Sequence, residues 1–123
     1  MTRPSRKLVR SEAEILAGIL GFLSVKGVFA FRNNSGGYSP RPGQFLRFGM
    51  KGAADIIGVL PGGLFLAIEV KRDGEDLTRH QKEWGARVTS AGGLYVVARS
   101  VEDVLAVLAP GLNLQRSSSR PLL

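Results

Sequence analysis

Two carboxylates and one lysine fall at spacings that could bring them onto one face of a small sheet. Asp55 lies in an apolar, β-rich stretch at 54–60, and Glu69 and Lys71 end a second such stretch at 64–71. Side chains alternate along a strand, so Lys71 shares the face of Glu69. Two carboxylates opposed across a ladder destabilise it unless a cation lies between them. The trio therefore predicts a metal site.

The shared face depends on the turn between the two stretches. Pro61 suits the first central position of a type I turn, and Gly63 suits the left-handed residue that closes a three-residue loop. Leu60 would then pair with Leu64, which puts the two carboxylates opposite each other. A two-residue Gly-Gly loop would shift the register by one and move the aspartate to the other face. The structural alternative is that Asp55 is an ordinary strand-start residue and that Glu69 and Lys71 are solvated strand ends.

Composition limits the kind of metal site. The 123 residues suit a single domain with its own core. The chain has no cysteine and one histidine, His80, which excludes disulfides, thiolate zinc sites and histidine-pair sites. The remaining carboxylates suit hard cations such as Mg²⁺, Mn²⁺ or Ca²⁺. No apolar run reaches bilayer length and residues 1–10 lack an apolar signal segment, so we expect a soluble, cytoplasmic protein.

The net charge of +7 lies entirely in the N-terminal part of the chain. Residues 1–51 carry nine basic residues against two glutamates, whereas the eight basic and eight acidic residues that follow cancel. Such a surface suits phosphate groups, although charge alone does not separate DNA from RNA or an anionic membrane. The basic residues are Arg3, Arg6, Lys7, Arg10, Lys26, Arg32, Arg41, Arg47 and Lys51.

Periodicity and breakers predict an αβββαβα order with a mixed central sheet flanked by helices. The first helix starts at Ser11 and stops near Lys26-Gly27, and a long loop at 32–51 follows the first strand. We expect one domain at 11–109, with a flexible basic arm at 1–10 and a flexible polar tail at 110–123. The remaining elements are predicted as strands at 28–31, 54–60, 64–71 and 94–99, and helices at 78–91 and 100–108.

Several blocks, taken in this order, resemble the VRR-NUC domain of the PD-(D/E)xK nuclease superfamily. They span 11–108, with Ala54 where the superfamily often has proline. The resemblance implies a restriction-endonuclease-like α/β fold and a metal-dependent DNA endonuclease. The blocks are Glu14, Arg32-Asn33-Asn34-Ser35-Gly36, Lys51-Gly52-Ala53-Ala54-Asp55, Ile68-Glu69-Val70-Lys71, Thr78-x-x-Gln81 and the segment 92–100.

The resemblance also implies residue roles. Asp55, Glu69 and the backbone carbonyl of Val70 would hold Mg²⁺ or Mn²⁺, which would polarise the scissile phosphate and activate a water. Lys71 would orient or deprotonate that water, or stabilise the transition state. Gln81 and an acid on the first helix would complete the site.

The two helix residues have a structural alternative. Ser11-x-x-Glu14 and Thr78-x-x-Gln81 both match the helix capping box. Gln81 falls on the helix face that should pack on the sheet, where a polar group needs a partner. We favour Glu14 as the acid of the first helix, with Glu12, half a turn away, as the competitor.

The long loop would supply the DNA contacts. Arg32, Asn34, Arg41, Arg47 and Lys51 are the expected DNA-binding residues, with a solvated loop as the alternative. His80 is expected at the surface and Trp84 in the core.

Stand-alone VRR-NUC domains resemble phage or prophage enzymes of replication and repair, so we expect selectivity for branched or junction DNA. A homodimer would let so small a domain reach two strands. The alternative is a non-catalytic nucleic-acid-binding module that kept the fold. A sequence-reading restriction enzyme is a third option, but 123 residues leave no room for a separate recognition domain.

Overall fold

The strands form one mixed sheet and one small separate hairpin. The structure is a computed structural model that describes residues 10–116, so residues 1–9 of the predicted arm at 1–10 and residues 117–123 of the predicted tail at 110–123 lie outside the described residues. The predicted αβββαβα order is confirmed, with a two-stranded insertion after its first strand. The elements are α1 (Glu12–Val25), β1 (Phe29–Arg32), β2 (Gly36–Tyr38), β3 (Leu46–Phe48), β4 (Ile56–Leu60), β5 (Leu64–Val70), α2 (Arg79–Ser90), β6 (Leu94–Ala98) and α3 (Val101–Arg116).

The main sheet has the strand order β1-β4-β5-β6. β4 pairs antiparallel with both β1 and β5, whereas β6 lies parallel to β5. A parallel neighbour needs a crossover connection, which α2 supplies. The predicted mixed α/β sheet flanked by helices is therefore confirmed.

α1 and α3 cover one face of this sheet. α1 buries a stripe of residues one turn apart, Ile15, Ile19 and Leu23, and α3 adds Val104 and Leu108 to the same core. Leu66, Ile68 and Val70 of β5 complete that core from the sheet side. Within residues 10–116, no helix is long and apolar enough to cross a bilayer.

The ends of α1 and α2 lie where the sequence predicts them. Ser11 is the N-cap of α1, and Gly27 follows its end with φ +72°. α2 packs on β6 from the other face of the sheet, where Gly85 meets Tyr95 so closely that an added Cβ would lie 2.4 Å from the ring. Glycine at this position allows the helix to approach the strand.

The loop between β4 and β5 has the predicted length but another turn type. Leu60 pairs with Leu64, so the three-residue loop is confirmed. The Gly63 N–H donates to the Leu60 carbonyl at 2.9 Å, and Gly62, between them, has φ +92°. A type I turn needs a negative φ there, so the predicted type I turn is wrong and the geometry matches type II.

The long segment after β1 contains a hairpin that the sequence analysis missed. β2 and β3 pair antiparallel with Gly36 opposite Phe48 and Gly37 opposite Arg47. The connecting turn has φ +81° at Gly43, and the Gln44 N–H donates back to the Arg41 carbonyl at 3.0 Å. Strands of three residues that start with two glycines give little local signal for β structure.

α3 is longer than predicted. It runs to Arg116, so the predicted end at Leu108 is wrong and residues 110–116 are helical. The buried residues Val104 and Leu108, four apart, anchor this helix to the core. Pro110 removes one backbone hydrogen bond but does not end the helix.

Candidate active site

Asp55 is fixed at the start of β4 by a backbone donor. Since Ile56 pairs with Ile68, the next step of the ladder puts Asp55 opposite Glu69, as the three-residue loop predicts. The Val70 N–H donates to Asp55 Oδ2 at 2.7 Å. The N–H and C=O of one strand residue point to the same side, so the Val70 carbonyl is also directed toward β4.

Glu69 is a buried acid with one unsatisfied oxygen. Its side chain is 2% exposed, and Oε2 has no hydrogen-bond partner among the described residues. Burial, followed by the charge of Asp55, raises the pKa of Glu69 to about 8, against the opposing effect of Lys71. A buried oxygen without a partner is costly, and a cation beside it would remove that cost.

Gln81 combines the two roles that the sequence left open. Its Oε1 accepts from the Thr78 N–H at 2.8 Å, which completes the capping box of α2. Its Nε2 donates to Glu69 Oε1 at 2.8 Å. The amide therefore begins the helix and orients the buried acid at the same time.

The first-helix acid at the site is Glu12, which corrects the preference for Glu14. Glu14 accepts from the Ser11 hydroxyl at 3.1 Å within the capping box of α1. Glu12 instead lines a cleft together with Asp55 and Val70. Half a turn separates the two glutamates on α1, and the capping box turns Glu14 away from the cleft.

A second pair of carboxyl groups lies in the same cleft. A hydrogen bond with Glu75, followed by burial, raises the pKa of Glu12, and Asp55 adds to this effect. The pKa of Glu75 is lowered, first by its bond with Arg72 and then by Glu12. The shifts of the two pKa values are therefore opposite in direction, upward for Glu12 and downward for Glu75.

The loop after β5 is tied to the end of β6. The Arg72 Nε contacts Glu75 Oε1 at 2.5 Å. The Arg99 guanidinium donates to the backbone carbonyls of both Arg72 and Glu75, the latter at 2.8 Å. Arg99 thus holds the segment that presents Glu75 to Glu12, a role that the sequence gave no reason to expect.

Lys71 lies where the alternation predicts, on the face of Glu69. It is buried, and its backbone N–H donates to the Ala98 carbonyl at 3.0 Å. Its positive charge lowers the pKa of both Glu69 and Glu12, although other effects outweigh it. The ammonium group therefore acts on both carboxylate pairs.

The donor set suits a hard cation that keeps water ligands. Within residues 10–116, no group of three or more His, Cys, Asp or Glu side chains is placed to hold a metal ion. Mg²⁺ needs fewer protein ligands, because it usually binds through one or two carboxylates and retains several waters. Asp55, the unpartnered oxygen of Glu69 and the Val70 carbonyl fit this requirement.

The predicted DNA contacts divide into two groups. Arg32 lines the cleft beside Asp55. Asn34, Arg41, Arg47 and Lys51 are exposed on the β2–β3 hairpin and its connections, outside the cleft lining.

Asn33, which the sequence analysis did not select, ties β1 to the acid-bearing loop. Its backbone N–H donates to the Asp55 carbonyl at 2.7 Å, and its Nδ2 donates to the Ala54 carbonyl at 3.1 Å. The buried backbone around Asp55 needed such donors, and this requirement was the only signal for Asn33 in the sequence.

Gly52 lets the same loop dock on the start of α2. It has φ +83°, and an added Cβ would lie 2.4 Å from the His80 carbonyl oxygen and 3.0 Å from the Gln81 nitrogen. The glycine thereby lets the loop that carries Asp55 pack against the start of α2, where Gln81 donates to Glu69.

The fold is a mixed α/β sheet domain with a cleft that contains Glu12, Asp55 and Glu75. A solved structure described as a VRR_NUC domain is similar to this chain, with a TM-score of 0.56 and 17% identity over 89% of this chain and 97% of that chain. The chain has the fold of a VRR_NUC domain, so the predicted resemblance is confirmed at the level of the fold. No family model and no curated protein matches the chain.

Proposed function

We propose that the protein is a VRR-NUC nuclease that hydrolyses DNA phosphodiester bonds with Mg²⁺ or Mn²⁺. The observation that carries the proposal is the buried, unpartnered Glu69 Oε2 opposite Asp55, with Lys71 on the same face. A structural ion pair gives no reason to leave a carboxylate oxygen unsatisfied in the protein interior. A nuclease site that takes up a cation does.

Each residue has a role in this proposal. Asp55, Glu69 and the Val70 carbonyl would hold the ion, which would polarise the phosphate and make a bound water more acidic. Lys71 orients that water or stabilises charge on the reacting phosphate. Gln81 fixes the Glu69 carboxylate, and Glu12 with Glu75 receives protons or holds water at the cleft.

The proposed substrate is branched or junction DNA in replication or repair, for a phage or prophage protein. The net charge of +7 in residues 1–51 supports a phosphate-bearing substrate. The proposed homodimer rests on an apolar face of β1, β4 and β5, defined by Phe29, Phe31, Val59 and Phe65, which are all exposed.

The test is cleavage of labelled duplex, flap, splayed and four-way-junction DNA in Mg²⁺, Mn²⁺ or EDTA. We expect metal-dependent cleavage that is lost in EDTA. Glu69→Gln and Lys71→Ala should lower its rate by a factor on the order of 10²–10⁴. Lys82→Ala, which removes an exposed lysine of α2, is the matched control and should cut like the parent.

Cutting by Lys71→Ala at the parental rate would reject the mechanism. The absence of metal-dependent cleavage on every substrate, together with DNA binding, would support the alternative of a non-catalytic binding module. The exposed basic residues of the β2–β3 hairpin are the feature that both functions would use.

A further inference from the structure

The β2–β3 hairpin (36–48) presents aromatic rings to solvent. Phe45, Tyr38 and Phe48 are 62%, 54% and 47% exposed. An isolated two-stranded hairpin is at best marginally stable in water. A hairpin that also exposes three rings has surface available for a partner.

Contacts within the hairpin fix the positions of these rings. The Phe45 ring lies across Gly37, where an added Cβ would be 2.2 Å away, and the Arg47 guanidinium lies 5.8 Å from the ring centre. Tyr38 and Phe48 occupy the other face, with their centres 6.5 Å apart. Both faces of the hairpin therefore offer a preformed aromatic surface.

The charge around these rings is of one sign. Residues 15–54 contain five basic residues and no aspartate or glutamate. Arg41, Arg47 and Lys51 lie on or beside the hairpin. Exposed rings interleaved with cations are the combination that binds single-stranded nucleic acid, because bases stack on the rings while the cations meet the phosphates.

Both ends of the hairpin are connected to the acid-bearing loop. Asn33 donates from the end of β1 to the carbonyls of Ala54 and Asp55. On the other side, Gly52 packs against the His80 backbone. A strand of DNA bound on the hairpin would therefore lie next to the cleft.

We propose that the β2–β3 hairpin stacks unpaired bases and so selects DNA with a single-stranded segment beside the point of cleavage. This inference rests on the proposed nuclease function and names the part of a branched substrate that the protein recognises.

The test compares affinities for a single-stranded oligonucleotide and a blunt duplex of equal length, measured in Ca²⁺ by fluorescence anisotropy. Phe45→Leu keeps an apolar side chain but removes the ring, so binding of the single strand should weaken about tenfold with little change for the duplex. Phe45→Tyr should bind like the parent. Tyr38→Leu repeats the test on the other face, and Val25→Ala, which shortens an exposed apolar side chain at the end of α1, is the control.

Equal affinity of Phe45→Leu and the parent for the single strand would overturn the proposal, as would an equal loss on both ligands. A changed sedimentation coefficient with unchanged DNA affinity would also overturn it and would assign the hairpin to a second copy of the chain. Cleavage of DNA in Mg²⁺ by the parent tests the nuclease function separately.

Discussion

At the level of single residues, Glu69 is an acid that the fold keeps protonated. Its pKa of about 8 lies above the ordinary value of 4.5, because burial and Asp55 disfavour the charged form. Metal ions bind the carboxylate and so compete with the proton. Without a bound metal ion, ionisation of Glu69 therefore destabilises the folded protein.

This cost predicts a stability effect of Glu69→Gln. Between pH 4.5 and 8 the unfolded chain loses the Glu69 proton while the folded protein keeps it, so the stabilising contribution is complete below pH 4.5 and is lost as the pH rises through 8. In EDTA, Glu69→Gln should match the parent near pH 5 and melt at a higher temperature at pH 9. Thermal unfolding at both pH values measures this.

A difference in melting temperature that is the same at pH 5 and pH 9 would show that ionisation of Glu69 does not limit stability. The matched control is Glu83→Gln on the exposed side of α2, for which we expect no such growth with pH.

The two glutamates of α1 give a second prediction. Glu12→Ala should lower the cleavage rate tenfold or more, because its carboxyl group lines the cleft. Glu14→Ala should leave the rate unchanged and cost about 1 kcal/mol of folding free energy through the capping box. Cleavage rates and denaturant unfolding of the pair measure both effects; the reverse pattern would restore Glu14 to the site.

Sequence reasoning could identify Asp55, Glu69 and Lys71 but not which acid of α1 faces the site. The positions of Asp55, Glu69 and Lys71 follow from loop length and strand alternation, which are local. The choice between Glu12 and Glu14 depends on how α1 is rotated, and a capping box fits either alternative. Gln81 was ambiguous in the sequence because its amide has an acceptor oxygen and a donor nitrogen. The oxygen caps α2 and the nitrogen binds Glu69.

At the level of elements, the loop at 49–55 joins the hairpin, the sheet and α2. It carries Asp55 and is held by Asn33 on one side and by the contact of Gly52 with His80 on the other. The distance between the Asp55 and Glu69 carboxylates therefore depends on a backbone contact outside the candidate active site.

Gly52→Ala should break this arrangement. The positive φ and the contact with the His80 carbonyl should cost on the order of 1–3 kcal/mol and lower the cleavage rate. Gly21→Ala is the control: it lies on α1 with nothing within 4 Å of an added Cβ, and it should be neutral or stabilising by up to about 1 kcal/mol. Chemical denaturation measures the stability of both variants, and cleavage assays measure their rates. A stable, active Gly52→Ala variant would contradict the role of the contact with His80.

Elements with strong local signals were predictable, and the β2–β3 hairpin was not. α1 and α2 have capping boxes and end at glycines, which the sequence displays directly. β2 and β3 are held by rings lying over glycines of the opposite strand, a contact that local propensity does not contain. Pro42-Gly43 forms the turn, but it was one of several Gly and Pro dipeptides in that segment.

At the level of the whole molecule, one face of the sheet is left apolar and uncovered over β1, β4 and β5. α2 packs on β6, so the side chains of Phe29, Phe31, Val59 and Phe65 remain exposed. A patch of this kind marks an association surface in many proteins, and its residues lie on strands that are continuous with the candidate active site.

We therefore predict that the protein is a dimer and that Phe29→Arg shifts it toward monomer, because a buried charge opposes association. Val25→Arg is the control, since Val25 is 84% exposed at the end of α1, outside this patch. Sedimentation velocity across a range of concentrations measures the effect. Monomers throughout, with and without DNA, would exclude the dimer.

The double role of Gln81 limits how this protein could be engineered for heat resistance. Glutamate is the residue that the same motif uses in α1, and Gln81→Glu would serve the Thr78 N–H equally well. It would also replace the donor to Glu69 with another acceptor, beside an acid that is already reluctant to ionise. Design for thermostability that considers only helix-capping rules would favour this exchange and would lose the proposed activity.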